Sequence, residues 1–467
     1  MRVKTTVRLA ALAGLAILTA PGAVRAQQPT SPTVDRQPVG VATVGQPMVV
    51  PTVTLEEAIK LALKVQPAVV TAAGNVGTAH AQQRQAVGNW LPTVTANSSV
   101  QRRLTSTQAA QGTGTVSSGL PNFSYSNGLN ANLLVWDFGR RIFQHRQQNA
   151  NADAMDAALV NQQFQVTLQT KQAFFNALAA AELERVRQTA LQRAEQNLKI
   201  TKEKLAAGSA IRSDTLTSTV LVGQARLDLL NAQTSRATQL ATLARLIGYD
   251  GPVQPLGDSA NVALLDVDTA SIRAEVLKSS PPVQQADAQA HLQEAVVNVN
   301  RIAYLPTINA SYNNSFTGNS PKGETGSWTG GFAFGSLTPT SSFTLSLSWP
   351  LFNGFVRETN LATAMASRDA AAATAADTRR GVNASVTQWL SSLEAARAQV
   401  SIAAASREAA DEALRISQER YRLGAATIVE VLQAQQNLGQ AEVDGVNARV
   451  SYQIAKAQIE ALLGRAL

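Results

Sequence analysis

The sequence predicts an α+β membrane protein in which long coiled-coil α-helices continue into transmembrane β-strands. Three observations carry that class. The second half repeats the punctuation of the first about 215 residues on. A secretory signal is followed by no membrane-spanning helix. Short alternating strands sit between very long helical blocks.

The repeat is read from boundary residues. Gly208 aligns with Gly424, Asp214 with Glu430, Leu216 with Leu432, and Leu246-Ile247-Gly248 with Leu462-Leu463-Gly464. Upstream, Pro67 aligns with Pro281 and Leu91-Pro92-Thr93 with Leu305-Pro306-Thr307. Shared punctuation at fixed separation implies a duplicated structural unit, a pseudo-symmetric wall or tube, rather than a catalytic pocket on a scaffold.

At the N-terminus, Arg2, Lys4 and Arg8 precede an apolar run from Leu9 to Ala20, and Val24-Arg25-Ala26 places small residues for cleavage before Gln27. Residues 1–26 are therefore expected to be a signal peptide, the run being short of the ~20 residues of a spanning helix. No later stretch approaches that length, so a membrane span in the mature chain is expected to be a β-barrel.

Residues 27–53 carry Pro29, Pro32, Pro38, Pro47 and Pro51 and read as an extended leader. A first repeat is expected at 54–250, a linker at 251–266 and a second repeat at 267–467. Helix should start at Thr54, with Glu57 at the spacing of a capping box, break near Pro67 and resume to Trp90.

Strands are expected where apolar and polar residues alternate. Phe343 to Trp349 alternates throughout, as do Ile308, Ala310 and Tyr312 with their polar neighbours. Val94, Ala96, Ser98 and Val100 face Leu129, Ala131, Leu133 and Val135 in the first half. That makes one hairpin per repeat, with Gly/Ser/Thr-rich loops near Ser106 to Pro121 and Gly318 to Thr340.

Trp90, Trp136, Tyr304 and Trp349 stand where strand meets helix, as membrane-interface aromatics do. They could instead cap a soluble core at that joint. Four strands cannot close a barrel, so several chains would contribute.

From Asp137 to Leu205 there is no proline, and a helix of that span reaches ~100 Å. Leu227, Leu230, Thr234, Ala237, Ala241 and Ala244 follow coiled-coil spacing, with Val443, Val446, Val450 and Ala457 at repeated positions. Ala364, Ala370, Ala371 and Ala375 suit close helix approach.

Composition excludes other classes. With no cysteine there is no disulfide, thiolate metal site or lipidated cysteine. The formal charge of +8 includes four basic residues in the signal, and 40 basic and 32 acidic residues are spread widely, so a mixed solvated surface is expected and no nucleic-acid footprint is indicated. His80, His145 and His291 lie far apart without ligand spacing, and the glycine-rich stretch from Gly318 to Gly335 lacks a phosphate-cradle context. Neither an enzyme nor a cofactor is indicated.

With these residues in place the chain resembles outer-membrane efflux proteins of the TolC type over about Thr54 to Leu467. The likeness is carried by the signal, two homologous halves, Leu-Pro-Thr entering a strand, and Trp136-Asp137-Phe138-Gly139-Arg140 and Leu351-Phe352-Asn353-Gly354 leaving one. Arg420-Tyr421-Arg422-Leu423-Gly424 and Ile428-Val429-Glu430-Val431-Leu432-Gln433-Ala434-Gln435 resemble the helix–turn–helix at the closed end of that family. The resemblance implies a homotrimer whose chains each give four strands to a 12-stranded transmembrane β-barrel, continued by a helical barrel through the periplasm. It further implies an exit duct for a tripartite efflux or type I secretion system, working with a periplasmic adaptor and an inner-membrane pump and embedded in outer-membrane lipid.

It also implies a periplasmic aperture at Asp214, Tyr421 and Glu430. Six carboxylates converging by threefold symmetry would favour cations. Ala426 stands where the family has a latch arginine, and Gln433 where it has a second ring acid. Alternatively, Asp214 simply N-caps the helix that follows. A periplasmic coiled-coil adaptor or scaffold is the second functional reading; two equivalent hairpins and membrane-like strands argue against it.

Overall fold

In a computed structural model of the protein, residues 51–103, 122–257, 268–319, 338–465 and 467 are described. The expected signal, most of the leader, the first strand loop, most of the second and most of the linker lie outside them.

The N-terminal signals act as read. Strand β1 (Thr52–Val53) leads into α1 (Leu55–Val65), where the Glu57 N–H donates to Thr54 Oγ1 and the Thr54 N–H to Glu57 Oε2, closing the capping box. Hydrogen bonds from the Thr54 backbone and hydroxyl hold the Glu57 carboxyl below its usual range. Gln66 is extended, as a residue before proline must be, and Pro67 opens α2 (Pro67–Gly88).

A hairpin of β2 (Thr93–Arg103) and β3 (Asn122–Trp136) leads to α3 (Arg140–Ala206), which returns as α4 (Arg212–Ile247). After β4 (Gln254–Pro255), the second half follows: α5 (Thr269–Ser279), α6 (Pro281–Ile302), β5 (Thr307–Asn319), β6 (Thr338–Ser348), α7 (Val356–Arg422) and α8 (Ile428–Leu463). Both long helices have 67 residues and both return helices 36. The strand reading missed one pairing, β1 with β4 in parallel, which ties Thr52 to Gln254 in the expected linker.

The four long strands form one antiparallel sheet in the order β2-β3-β5-β6. Register places Val94, Ala131, Tyr312 and Phe343 in one cross-strand row, with Leu133, Ala310 and Leu345 in the next. The opposite face carries Thr95, Asn97, Asn130, Asn132, Asn309, Ser311, Asn313, Thr344 and Ser346, and Asn130 Nδ2 donates to Asn97 Oδ1 at 2.7 Å. A bulge between Leu134 and Trp136 shifts the register at the helix end of β3. Among the described residues nothing covers the apolar face: Phe343, Leu345 and Leu347 are 72, 64 and 67% exposed.

Helices pack laterally in the order α2-α3-α6-α7 near the sheet and α4-α3-α8-α7 beyond it. Each repeat has a core where its short helix meets its long helix and the return helix. Ala58, Phe174, Leu243 and Ile247 are buried in one, and Ile272, Leu390, Ile459 and Leu463 hold the repeated positions in the other. Between the repeats, α3 meets α8 through three ion pairs: Lys171 with Glu460, Arg449 with Glu182, and Arg193 with Glu442 at 2.7 Å.

The coiled-coil seam divides. On α8, Val446 and Ala457 are buried and Val443 and Val450 half-buried. On α4, the expected burial is corrected. Ala244 is buried, but Leu227 and Leu230 are 56 and 58% exposed, and Thr234, Ala237 and Ala241 are exposed too. α8 lies between α3 and α7, whereas α4 packs chiefly on α3, so its outer face has no partner among the described residues.

Candidate functional site

Two interhelical turns lie at the end of the helices far from the sheet. Each long helix ends in a Schellman motif. The Ser209 N–H donates to the Lys204 carbonyl and Gly208, with φ +72°, donates to Leu205; Ala425 and Gly424 (φ +76°) repeat this with Arg420 and Tyr421. Glycine takes the left-handed position because a Cβ there would meet the preceding carbonyl.

The two turns then differ. Glu430 closes a capping box with Thr427 at the start of α8 and receives Arg420 Nη1 at 3.3 Å, while Arg420 Nη2 donates to the Ala425 carbonyl. Its carboxylate is thus engaged within its own turn. Asp214 is not an N-cap. Ile211 holds that position without a side-chain bond, and Asp214 lies half-buried in the first turn of α4, its carboxylate without a hydrogen bond or ion pair among the described residues.

Tyr421 is 9% exposed and packs with Leu414, Ile428, Leu432 and Leu438, with Ala426 at the margin. Burial raises the phenol above its ordinary range; hydrogen bonding with Thr201 opposes that rise, and the negative charge of Asp214 adds to it. Lys204, which the sequence reading overlooked, joins the two turns: its ammonium donates to the Tyr421 carbonyl and lies 4.1 Å from the centre of the Tyr421 ring. The repeat offset aligns Lys204 with Arg420, which could have marked it. Gln433 is exposed and donates to Asn437 Oδ1 at 3.1 Å. The structure therefore brings Asp214 and Tyr421 together and sets Glu430 in a separate local clamp.

At the other end, the four aromatics gather at the strand–helix joints. Trp90, Trp136 and Trp349 are 45, 56 and 58% exposed, and Tyr304 is half-buried. Arg141 stacks 4.5 Å from the Trp90 ring centre and is fixed by Asp137 Oδ2; Arg357 repeats the stacking 4.7 Å over Tyr304 and donates to the Pro350 and Leu351 carbonyls. Trp349 Nε1 donates to the Tyr304 carbonyl at 3.3 Å. Phe138-Gly139 and Gly354-Phe355 are consecutive left-handed residues, turning the chain from strand into helix at both joints. The histidines are dispersed: His80 lies near Asp156, His145 near Asn149 and His291 near Glu294. Among the described residues no group of acids and histidines could hold a metal ion, and no helix is long and apolar enough to cross a membrane.

A sequence profile of the family described as outer membrane efflux protein matches the chain twice, over residues 58–249 and 272–465. The chain belongs to the outer membrane efflux protein family. Similar curated members are the pyoverdine export outer membrane protein OpmQ of Pseudomonas aeruginosa, 29% identical over 74% of this chain and 70% of its own length, and the protein CyaE of Bordetella pertussis, 27% identical over 87% and 81%. Among solved structures, the Campylobacter jejuni CmeC outer membrane channel superposes with a TM-score of 0.72 at 22% identity, over 88% of this chain and 85% of that one. The fold is that of these channels, a helical barrel joined to a β domain. As a member of the efflux family the protein resides in the outer membrane. Members of the family are transport channels that work with periplasmic adaptors and inner-membrane pumps.

Proposed function

We propose that the protein is the homotrimeric exit duct of a tripartite efflux or type I secretion system. The sheet carries this reading: among the described residues one face is apolar and uncovered, the other polar, and edge strands β2 and β6 are unpaired. Lipid suits the first face and a water-filled lumen the second. Edges that no described strand covers call for further copies, and three would give twelve strands.

The helices support the same closure. α8 buries its seam on α3; by the repeat, the exposed seam of α4 would bury on α7 of the next copy. In this reading residues 1–26 are a signal, 27–53 a leader, and 54–250 and 267–467 two repeats of one intertwined domain joined at 251–266. Trp90, Trp136, Tyr304 and Trp349 mark the periplasmic membrane boundary. The aperture is formed by Asp214, Tyr421 and Glu430, with Asp214 supplying the less engaged charge. Adaptor and pump would dock on the helical end. The adaptor-like alternative leaves the apolar sheet face unexplained.

The test is assembly. Extracted in mild detergent from outer membranes, the protein should have the mass of a trimer, and Leu227→Asp with Leu230→Asp should yield monomers. A wild-type monomer in the soluble periplasmic fraction would overturn the proposal.

A further inference from the structure

At the level where the strands meet the helices, the chain carries arginine and almost no compensating acid. Residues 81–92, 135–147, 295–306 and 349–363 contain Arg84, Arg140, Arg141, Arg146, Arg301 and Arg357, no lysine, and only Asp137 and Glu358 as carboxylates. Asp137 is consumed by the buried pair with Arg141. The side chains of Arg84, Arg140, Arg146 and Arg301 make neither hydrogen bond nor ion pair among the described residues, Arg146 resting only on the Phe143 ring. Along the helices beyond, most arginines are matched, such as Arg187 with Asp228, Arg236 with Glu184, Arg379 with Asp287 and Arg415 with Glu412.

Exposed apolar residues share this level: Trp136, Trp349, Leu351, Phe352 and Phe355. A surface offering guanidinium groups beside aromatic rings and aliphatic chains fits a molecule with a phosphate at one end and acyl chains at the other. Guanidinium binds phosphate bidentately where an ammonium cannot. Free protein anions would use the charges and leave the apolar residues idle.

We infer that this collar binds anionic phospholipid, phosphatidylglycerol or cardiolipin, of the membrane leaflet facing the helices. The inference rests on the proposed barrel. It makes the strand–helix joint a lipid-selective site rather than a generic aromatic girdle.

The trimer would be placed in nanodiscs of phosphatidylcholine with a minor, graded fraction of phosphatidylglycerol, and the lipids retained by the protein would be counted by native mass spectrometry. Wild type should retain phosphatidylglycerol over phosphatidylcholine about tenfold, a preference that weakens with salt. The triple variant Arg140→Gln, Arg146→Gln, Arg301→Gln should lose most of that preference, whereas Arg185→Gln with Arg407→Gln, far along the helices, should keep it. Inorganic phosphate at equal headgroup concentration should not displace the lipid. Equal retention of both lipids by a membrane-inserted wild-type trimer, an unchanged preference in the triple variant, or full displacement by phosphate would each overturn the inference. Failure to insert or to trimerise would instead strike the barrel reading on which it rests.

Discussion

Gly248 ends α4 with φ +74°, and a Cβ on it would lie 2.4 Å from Val65 Cγ1. Gly208 has the same backbone conformation with open space around it. Gly208→Ala should therefore cost only the left-handed conformation, ~1–2 kcal/mol, while Gly248→Ala adds a clash of ~1–3 kcal/mol. Thermal unfolding followed by circular dichroism should show a lower midpoint for Gly248→Ala; equal midpoints would mean that α1 does not pack there. At the proposed aperture, Tyr421 acts through its ring. Tyr421→Phe, which keeps the ring in the turn cluster, should change channel conductance far less than Tyr421→Ala, which should raise it by loosening that cluster. Asp214→Asn should reduce cation preference in planar bilayers more than Glu430→Gln, whose carboxylate is held by Thr427 and Arg420. The reverse order would remove Asp214 from the lumen.

The strands admit a test by alternation. Asn130 and Ala131 are neighbours on opposite faces of β3. Ala131→Arg should cost up to ~2–4 kcal/mol on the lipid side and deplete the protein from outer membranes, while Asn130→Arg should be tolerated and shift ion selectivity toward anions. Equal depletion would contradict a two-faced wall. This face was legible from alternation, and the Thr54 capping box and the break at Pro67 from local chemistry, whereas the turns at Gly208 and Gly424 were marked by the repeat and by the family resemblance. Burial of the α4 seam was not legible in the same way: heptad spacing marks a face that needs a partner, but not whether the partner belongs to the same chain. The alternative reading of Asp214 as an N-cap failed by three residues, since the helix starts at Arg212 after Ile211 without any capping side chain and propensity alone could not locate that start. Lys204 was missed because its contact crosses between repeats that are more than two hundred residues apart.

The joint between the two repeats concentrates charge. Arg193 and Glu442 retain 25 and 10% side-chain exposure, so Arg193→Met should cost ~2–3 kcal/mol, somewhat under the ~3–5 kcal/mol of a fully buried pair broken on one side. The exchange Arg193→Glu with Glu442→Arg should recover most of the lost thermal midpoint; no recovery would mean that the loss is packing alone. The positions that the repeat aligns with Lys171, Glu182 and Arg193 are Thr387, Ala398 and Ala409 on α7, and those aligned with Glu442, Arg449 and Glu460 are Arg226, Gln233 and Ala244 on α4. Not one of the three ionic couples is reproduced. In a closed ring of copies, joints that carry these three ion pairs must then alternate with joints that lack them, so the two hairpins work as differently keyed teeth. A hairpin from the first repeat cannot take the place of one from the second, and the number of hairpins around the ring is always even. A half-length chain would find no vacancy to fill.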